Sequence, residues 1–403
     1  MTTETQKIPT GYKQTEIGVI PADWDVKELG KICKYQNGTS LERYFNQHDG
    51  YNVISIGNYS TSGRYIDTGS YISFDLKNNV NKFILNEDDL TMILNDKTST
   101  GEIIGRVLLI EKSNSYIFNQ RTMRLTAGSD ILPKYLYFLI NSNTVHKKLA
   151  RQAKPGTQIY FNTADVLDFK ISFPKNKTEQ SVIINTLSDA DSLVKNLEKL
   201  IEKKKSIKQG AMQELLTGKK RLPGFYGKWE MKKLGDICSV TTGSKDVNEG
   251  NQDGIYPFFT CSKQLSYSNT YSFSGEAILI AGNGEVGHLQ HYTGNFEAYQ
   301  RTYVLQNFKV STKFLWFTLL ANFKNSLGIG TIGSTIPYIK RENITDFIYQ
   351  SPQEETEQLA IATILSDMDA EIEKLESQLL KYQNIKQGMM QTLLTGKIRL
   401  LTK

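Results

Sequence analysis

Cysteine is scarce: Cys33, Cys238 and Cys261 are the only three. No two have the spacing of a metal knuckle or a redox pair. Their odd number speaks against a disulfide framework, so the expected setting is reduced and intracellular. Long apolar runs are missing as well. No stretch of about 18 apolar residues exists, which excludes a hydrophobic membrane-spanning helix. The opening segment, MTTETQKIPTGYKQTEIG, has no apolar region of the kind a secretory leader needs. A soluble, cytoplasmic protein is expected.

Catalytic signatures are also wanting. There is no methyltransferase motif of the NPPY kind, no nucleophile elbow and no nuclease carboxylate cluster; NDK at Asn95 is too short a match to count. GNGEVG, residues 282–287, has the form G-x-G-x-x-G. The residues after it are turn- and strand-like, whereas a dinucleotide site needs a helix there, so a Gly-rich β-turn is expected. His288 and His291 form H-x-x-H with no Cys or carboxylate at ligand spacing and read as a surface pair. TGK at Thr217 and Thr395 lacks the preceding Gly and following hydroxyl of a phosphate loop. The chain reads as non-catalytic, with no metal and no cofactor of its own.

What is present is a duplication. The 403 residues suffice for two or three domains, and 39% hydrophobic and 10% aromatic content can build them. The net charge of +6 tilts mildly toward an anionic partner. Glu179–Leu222 recurs as Glu357–Leu400 at a constant offset of 178 (357 − 179 and 400 − 222), with about half the positions identical and no gap. The segments before each copy repeat at lower identity. WEMKKLGDIC (Trp229 to Cys238) answers WDVKELGKIC (Trp24 to Cys33), and YQRTYVL (Tyr299 to Leu305) answers NQRTMRL (Asn119 to Leu125). Alternating apolar runs broken by Gly, Asn, Asp and Ser make these segments β-rich. In LPKYLYFLI and TKFLWFTLL the apolar period becomes helical. The boundaries read from this are a first β-rich domain at 1–173, a central helix at 174–218, a second domain at 219–351, and a C-terminal helix and tail at 352–403.

The repeated stretches carry a heptad. Ile361, Leu365, Met368, Ile372, Leu375, Leu379 and Tyr382 fall at alternating steps of four and three, and Ile183, Leu187, Ala190, Val194, Leu197 and Ile201 occupy the matching places. Ser351, Pro352 and Glu354 suggest a capped helix start with proline in the first turn. Gly218 and Gly396 are natural stops. From Pro174 to Thr217 the helix would run on the order of 60 Å. Gly210 and Gly388 inside it predict a kink or a close crossing. An amphipathic helix of this length needs a partner, and the other copy supplies one. The expected fold is α+β: a tandem pseudo-twofold repeat of two β-rich domains joined by two long antiparallel coiled-coil helices.

This plan, the paired domain starts and the two IKQGxMQxLLTGK helix ends resemble the specificity subunit of type I restriction–modification enzymes, across essentially the whole chain. The resemblance implies two target-recognition domains that bind double-stranded DNA and read a bipartite, asymmetric site. It implies two modification (methyltransferase) subunits docked on the helices, with S-adenosylmethionine bound there. It also implies two restriction (motor-nuclease) subunits that use ATP and Mg. Two alternatives stay open: a specificity subunit serving a methyltransferase with a different nuclease arrangement, and a coiled-coil adaptor that binds no DNA.

Base reading needs donors and acceptors on exposed loops. The candidates in the first domain are Ser40, Arg43, Tyr59, Arg64, Lys97, Thr98, Ser99, Lys154 and Gln158. In the second they are Ser244, Lys245, Lys263, Gln264, Asn283, Thr331 and Ser334. Arg121 and Arg301 recur at equal places, which suits a structural role or a phosphate contact better than base reading. Leu187, Val194, Leu197, Ile201, Leu365, Ile372, Leu375 and Leu379 are the candidate partner-docking positions. Lys203, Lys204, Lys205 and Lys208 read as a solvated helix face.

Overall fold

The computed structural model describes residues 8–97, 101–154, 158–327 and 337–400. The chain forms two compact units. One comprises Met1–Leu197 with Gln378–Lys403, the other Glu198–Ser377. Each therefore joins one β-rich domain to part of both long helices, Lys177–Leu215 and Glu355–Leu393, of 39 residues each.

In the first unit, strand Trp24–Glu28 pairs antiparallel with Lys170–Pro174, so the domain begins and ends side by side. Between them lies an antiparallel sheet in the order Val107–Leu109, Asp89–Ile93, Thr122–Ala127, Cys33–Asn37. Asp89–Ile93 is buried throughout. A second four-stranded sheet is built on Tyr51–Ile54. Helices Pro133–Asn141 and Asn143–Ala150 share a core with the first sheet through Leu136, Leu139, Ile140 and Leu149. They are separate helices because the Ser142 hydroxyl accepts from the Val145 amide and starts a new one.

The second unit repeats the plan. Trp229–Lys233 pairs with Ile348–Pro352 in the register of its counterpart, Trp229 opposite Pro352 as Trp24 is opposite Pro174. Its main sheet has six strands, ordered Ser239–Thr242, Thr302–Gln306, Phe273–Ala281, Leu289–Ala298, Tyr256–Phe259, Ser266–Ser268. Helix Thr312–Ser326 covers it through Phe314, Leu315, Leu319 and Phe323. The Gly282–Gly287 stretch is the turn between two of these strands, as a Gly-rich β-turn should be.

The long helices start later than their prolines suggest. Pro174 and Pro352 each end a strand, and the helices begin at Lys177 and Glu355. A buried glutamine in the first turn of each helix ties the strand end down. Gln180 Nε2 donates to the Pro174 carbonyl at 2.8 Å while its Oε1 accepts from Leu132 N at 2.8 Å. Gln358 likewise donates to Pro352 at 2.9 Å and accepts from Ser311 N at 3.0 Å. Each glutamine holds the strand end against the start of the covering helix. The expected stops hold: Gly218 and Gly396 take left-handed φ of 68° and 69°. The close crossing expected at Gly210 and Gly388 is absent, since nothing lies within 4 Å of a Cβ placed at either.

The helices run antiparallel within each unit. In the first, Glu179 meets Arg399 and Asp191 meets Lys386; in the second, Glu357 meets Arg221 and Asp369 meets Lys208. Each pair is its counterpart shifted by the repeat offset. Lys204 and Lys205 also reach across, to Glu371 at 2.7 Å and Glu376 at 2.6 Å. The basic run expected to face solvent therefore holds the helix pair for three of its four lysines.

Several docking positions are corrected by this packing. Leu187 and Leu365 are fully buried in the cores of their own units. Val194, Leu197, Ile201 and Ile372 are buried as well, because the chain covers its own heptad stripe. Leu375 and Leu379 stay half-buried. The apolar side chains that the helices do expose are others, among them Leu193, Leu200 and Ile207, seven residues apart on the first helix, and Leu380 and Ile385 on the second.

Candidate nucleic-acid interface

In the first domain four segments meet at one corner. Gly38 follows strand Cys33–Asn37 of the main sheet, and its amide donates to Thr122 O at 2.9 Å. A Cβ on Gly38 would lie 1.9 Å from Asn119 O, so only glycine lets these backbones approach. The loop beyond it is held by Glu42. Ser40 donates to this carboxylate, as do Asn119 Nδ2 at 2.9 Å and Gln120 Nε2 at 2.7 Å. Burial pushes Glu42 up, but these donors outweigh it and hold the carboxyl down at about 2. Arg121 forms the tip, with a left-handed φ of 65°, and its carbonyl accepts from Leu94 N at 2.8 Å. Leu94 O in turn accepts from Phe161 N at 2.9 Å, beside the short ladder of Asn95–Asp96 with Ile159–Tyr160.

The second domain builds the same corner, keeping the glycine and the Gln-Arg-Thr. Gly243 N donates to Thr302 O at 3.2 Å, and a Cβ there would meet Ala298 O at 1.9 Å. Gln300 N donates to Lys245 O at 3.0 Å, and its Nε2 lies 3.5 Å from Asp246. Arg301 O accepts from Gly282 N, and Gly282 O accepts from Ile339 N, both at 2.9 Å. Asn283 bridges to Tyr338, whose ring is half exposed. A hollow of about 260 Å³ opens here, lined by Gly282, Gln300, Arg301, Tyr303 and Ile339.

Several expected readers stand at these corners. Ser40 and Arg43 are exposed on the first loop, although Ser40 is tied to Glu42 and Arg43 lies over the neighbouring Tyr44 ring at 4.6 Å. Lys97 is exposed just past the ladder. Lys154 and Gln158 are half-buried, with Lys154 Nζ 3.3 Å from Asp165. Ser244 and Gln264 are exposed, Asn283 is half-buried, and Lys263 is exposed 3.5 Å from Glu285. Thr98, Ser99, Thr331 and Ser334 lie outside the described residues.

Three candidates are corrected. Tyr59 is 4% exposed in a cluster with Ile54, Leu85 and Phe118, and burial raises its hydroxyl far above the ordinary range, so it is a core residue. Arg64 reaches Asp191 of the first long helix at 3.3 Å and ties the domain to that helix. Lys245 bonds Thr270 and Ser268 and lies 3.5 Å from the fully buried Glu297, so its charge is needed inside the domain. The corner's own tips, Gln120–Arg121 and Gln300–Arg301, were not among the expected base readers. The repeated Gln-Arg-Thr is the signal that marks them. His291 pairs with Glu276 at 2.9 Å, and no cluster of metal-ligand type occurs among the described residues.

Residues 21–209 and 226–382 match the model of a family described as the type I restriction modification DNA specificity domain. Over 167 residues the chain is 39% identical to the type I restriction enzyme EcoDI specificity subunit of Escherichia coli, covering 41% of this chain and 37% of that protein. It spans 49% of the MjaVIII specificity subunit of Methanocaldococcus jannaschii at 29% identity. It is 25% identical to the putative MjaX specificity subunit of the same organism across 97% of both chains. In fold it is similar to the S subunit of a type I restriction–modification system from M. genitalium, with a TM-score of 0.64, 16% identity, and 96% of this chain and 98% of that one covered.

Proposed function

We propose that this chain, which belongs to the type I restriction modification DNA specificity family, is the non-catalytic subunit that gives such a complex its DNA sequence preference, with each β-rich domain reading one half of a bipartite target. The observation that carries this reading is the corner formed twice in one chain. Four segments converge in the same backbone pattern and keep an Asn–Tyr pair, Asn95 with Tyr160 and Asn283 with Tyr338, while the residues beside that pair differ, Asn162 and Thr163 in one domain and Lys340 and Arg341 in the other. One scaffold with two sets of exposed polar groups suits two different half-sites, since sequence is read by side chains at base edges. The target is asymmetric for that reason.

The catalytic work belongs to partners. Two methyltransferase subunits would dock on the long helices, where Leu193, Leu200 and Ile207 expose an apolar line and Leu375 and Leu379 remain half covered. S-adenosylmethionine would be bound there for adenine methylation. Two motor-nuclease subunits using ATP and Mg would complete the restriction complex. A family member serving a methyltransferase with a different nuclease arrangement would read DNA in the same way. The chain with its methyltransferase partner should bind duplex DNA with an affinity that falls steeply with salt, as expected when several phosphates are neutralised. Binding that ignores salt, or no binding, would favour an adaptor that touches no nucleic acid.

A further inference from the structure

Resting on that DNA reading, we infer that Arg121 and Arg301 are a matched pair of phosphate contacts, one in each domain, that seat the two readers on the duplex without reading bases. The repeated Gln-Arg-Thr is explained by the fold at every atom except the guanidinium. Gln120 is bound by Glu42, and Gln300 lies beside Asp246. Thr122 and Thr302 are buried, their hydroxyls donating to Asn119 O at 2.6 Å and Phe259 O at 3.1 Å. The arginines serve the fold through their carbonyls, which accept from Leu94 N and Gly282 N, a role any residue could fill. Both arginine side chains are exposed, and among the described residues neither makes an ion pair or a side-chain hydrogen bond. Arg121 holds this place in a left-handed conformation, where Gly or Asn would be less strained.

A side chain that the fold does not use, kept at both corners and at Arg121 against a backbone preference, must meet something outside the domain. The two domains differ around it: Asn119 and Met123 stand in one where Tyr299 and Tyr303 stand in the other. What two unlike half-sites have in common is the phosphodiester backbone. Guanidinium suits it, being permanently charged and able to donate two parallel hydrogen bonds to one phosphate.

The test uses the chain assembled with its methyltransferase subunits and a random-sequence duplex library, with salt titrations on the enriched sequence. Arg121→Ala and Arg301→Ala should each weaken binding to every enriched sequence alike. Each should lower the slope of log affinity against log salt by about 0.9, and together by about 1.8. The enriched motif should not change. Arg121→Lys should keep the slope, and Arg121→Asn, which suits the left-handed backbone, should lose it with Tm not lowered. Loss of preference for one base in one half-site would overturn the proposal by making the arginine a base reader. Unchanged affinity would overturn it by leaving the guanidinium idle. If the unaltered complex enriches no sequence and shows no salt dependence, the DNA reading itself fails and the proposal with it.

Discussion

At Glu42 a carboxylate that burial alone would push up is held at about 2 by Ser40, Asn119 and Gln120, so it stays ionised and keeps the loop after Gly38 in place. His146 shows the opposite chemistry. Burial first, then the nearby Arg106 charge, lower its pKa to about 4, against a hydrogen bond to the Ile104 carbonyl at 2.8 Å that raises it. It is folded neutral, whereas an unfolded histidine protonates near its ordinary 6.5. Below that pH the unfolded chain binds the extra proton, so stability is lost as pH falls from 6.5 toward 4. Tm measured across this window should drop, and His146→Gln, which keeps a donor and cannot titrate, should flatten the drop. Residue-scale detail was the least legible in the sequence. Tyr59, Arg64 and Lys245 all sit in turn-rich stretches that read as exposed. Their rings and charges turn inward to Phe118, Asp191 and Glu297, partners 59, 127 and 52 positions away that local pattern does not reveal.

The two long helices were legible in period, pairing and stops, because heptads and terminal glycines are local signals. Their starts were not. Pro174 and Pro352 look like first-turn prolines until one sees that each ends a strand opposite a tryptophan, Trp24 or Trp229. The docking stripe was misassigned for a related reason. A heptad shows which residues need cover but not whether the chain covers them itself. The ion pairs across the helices fix register, as charges between packed helices do. Asp191, 13% exposed, serves Lys386, Lys195 and Arg64, and burial's upward push on it is overcome by Lys386 first, to about 2. Asp369, its counterpart, is 37% exposed and pairs with Lys208. Asp191→Ala should therefore cost about 2 kcal/mol, since it leaves clustered cations with little solvent. Asp369→Ala should cost less than half of that. Urea denaturation of the two variants, followed by tryptophan fluorescence, checks the order; equal losses would remove the asymmetry.

The duplication, the β-rich domains and the family were legible across the whole molecule, because they rest on a gapless 178-residue offset and on repeated helix ends. The way the units divide the helices was not, since it depends on which half of each helix packs against which core. The paired domain ends, the corner and the glutamine under each proline occur twice, while the residues around the matched arginines differ. On the proposed function, one scaffold would serve two independent readings. The most direct measurement is the DNA motif enriched by the assembled complex before and after the second domain, residues 219–351, is replaced by that of a relative. Independent readings predict a two-part motif of which one part changes and the other stays. A single contiguous palindromic motif, or a change in both parts at once, would contradict them.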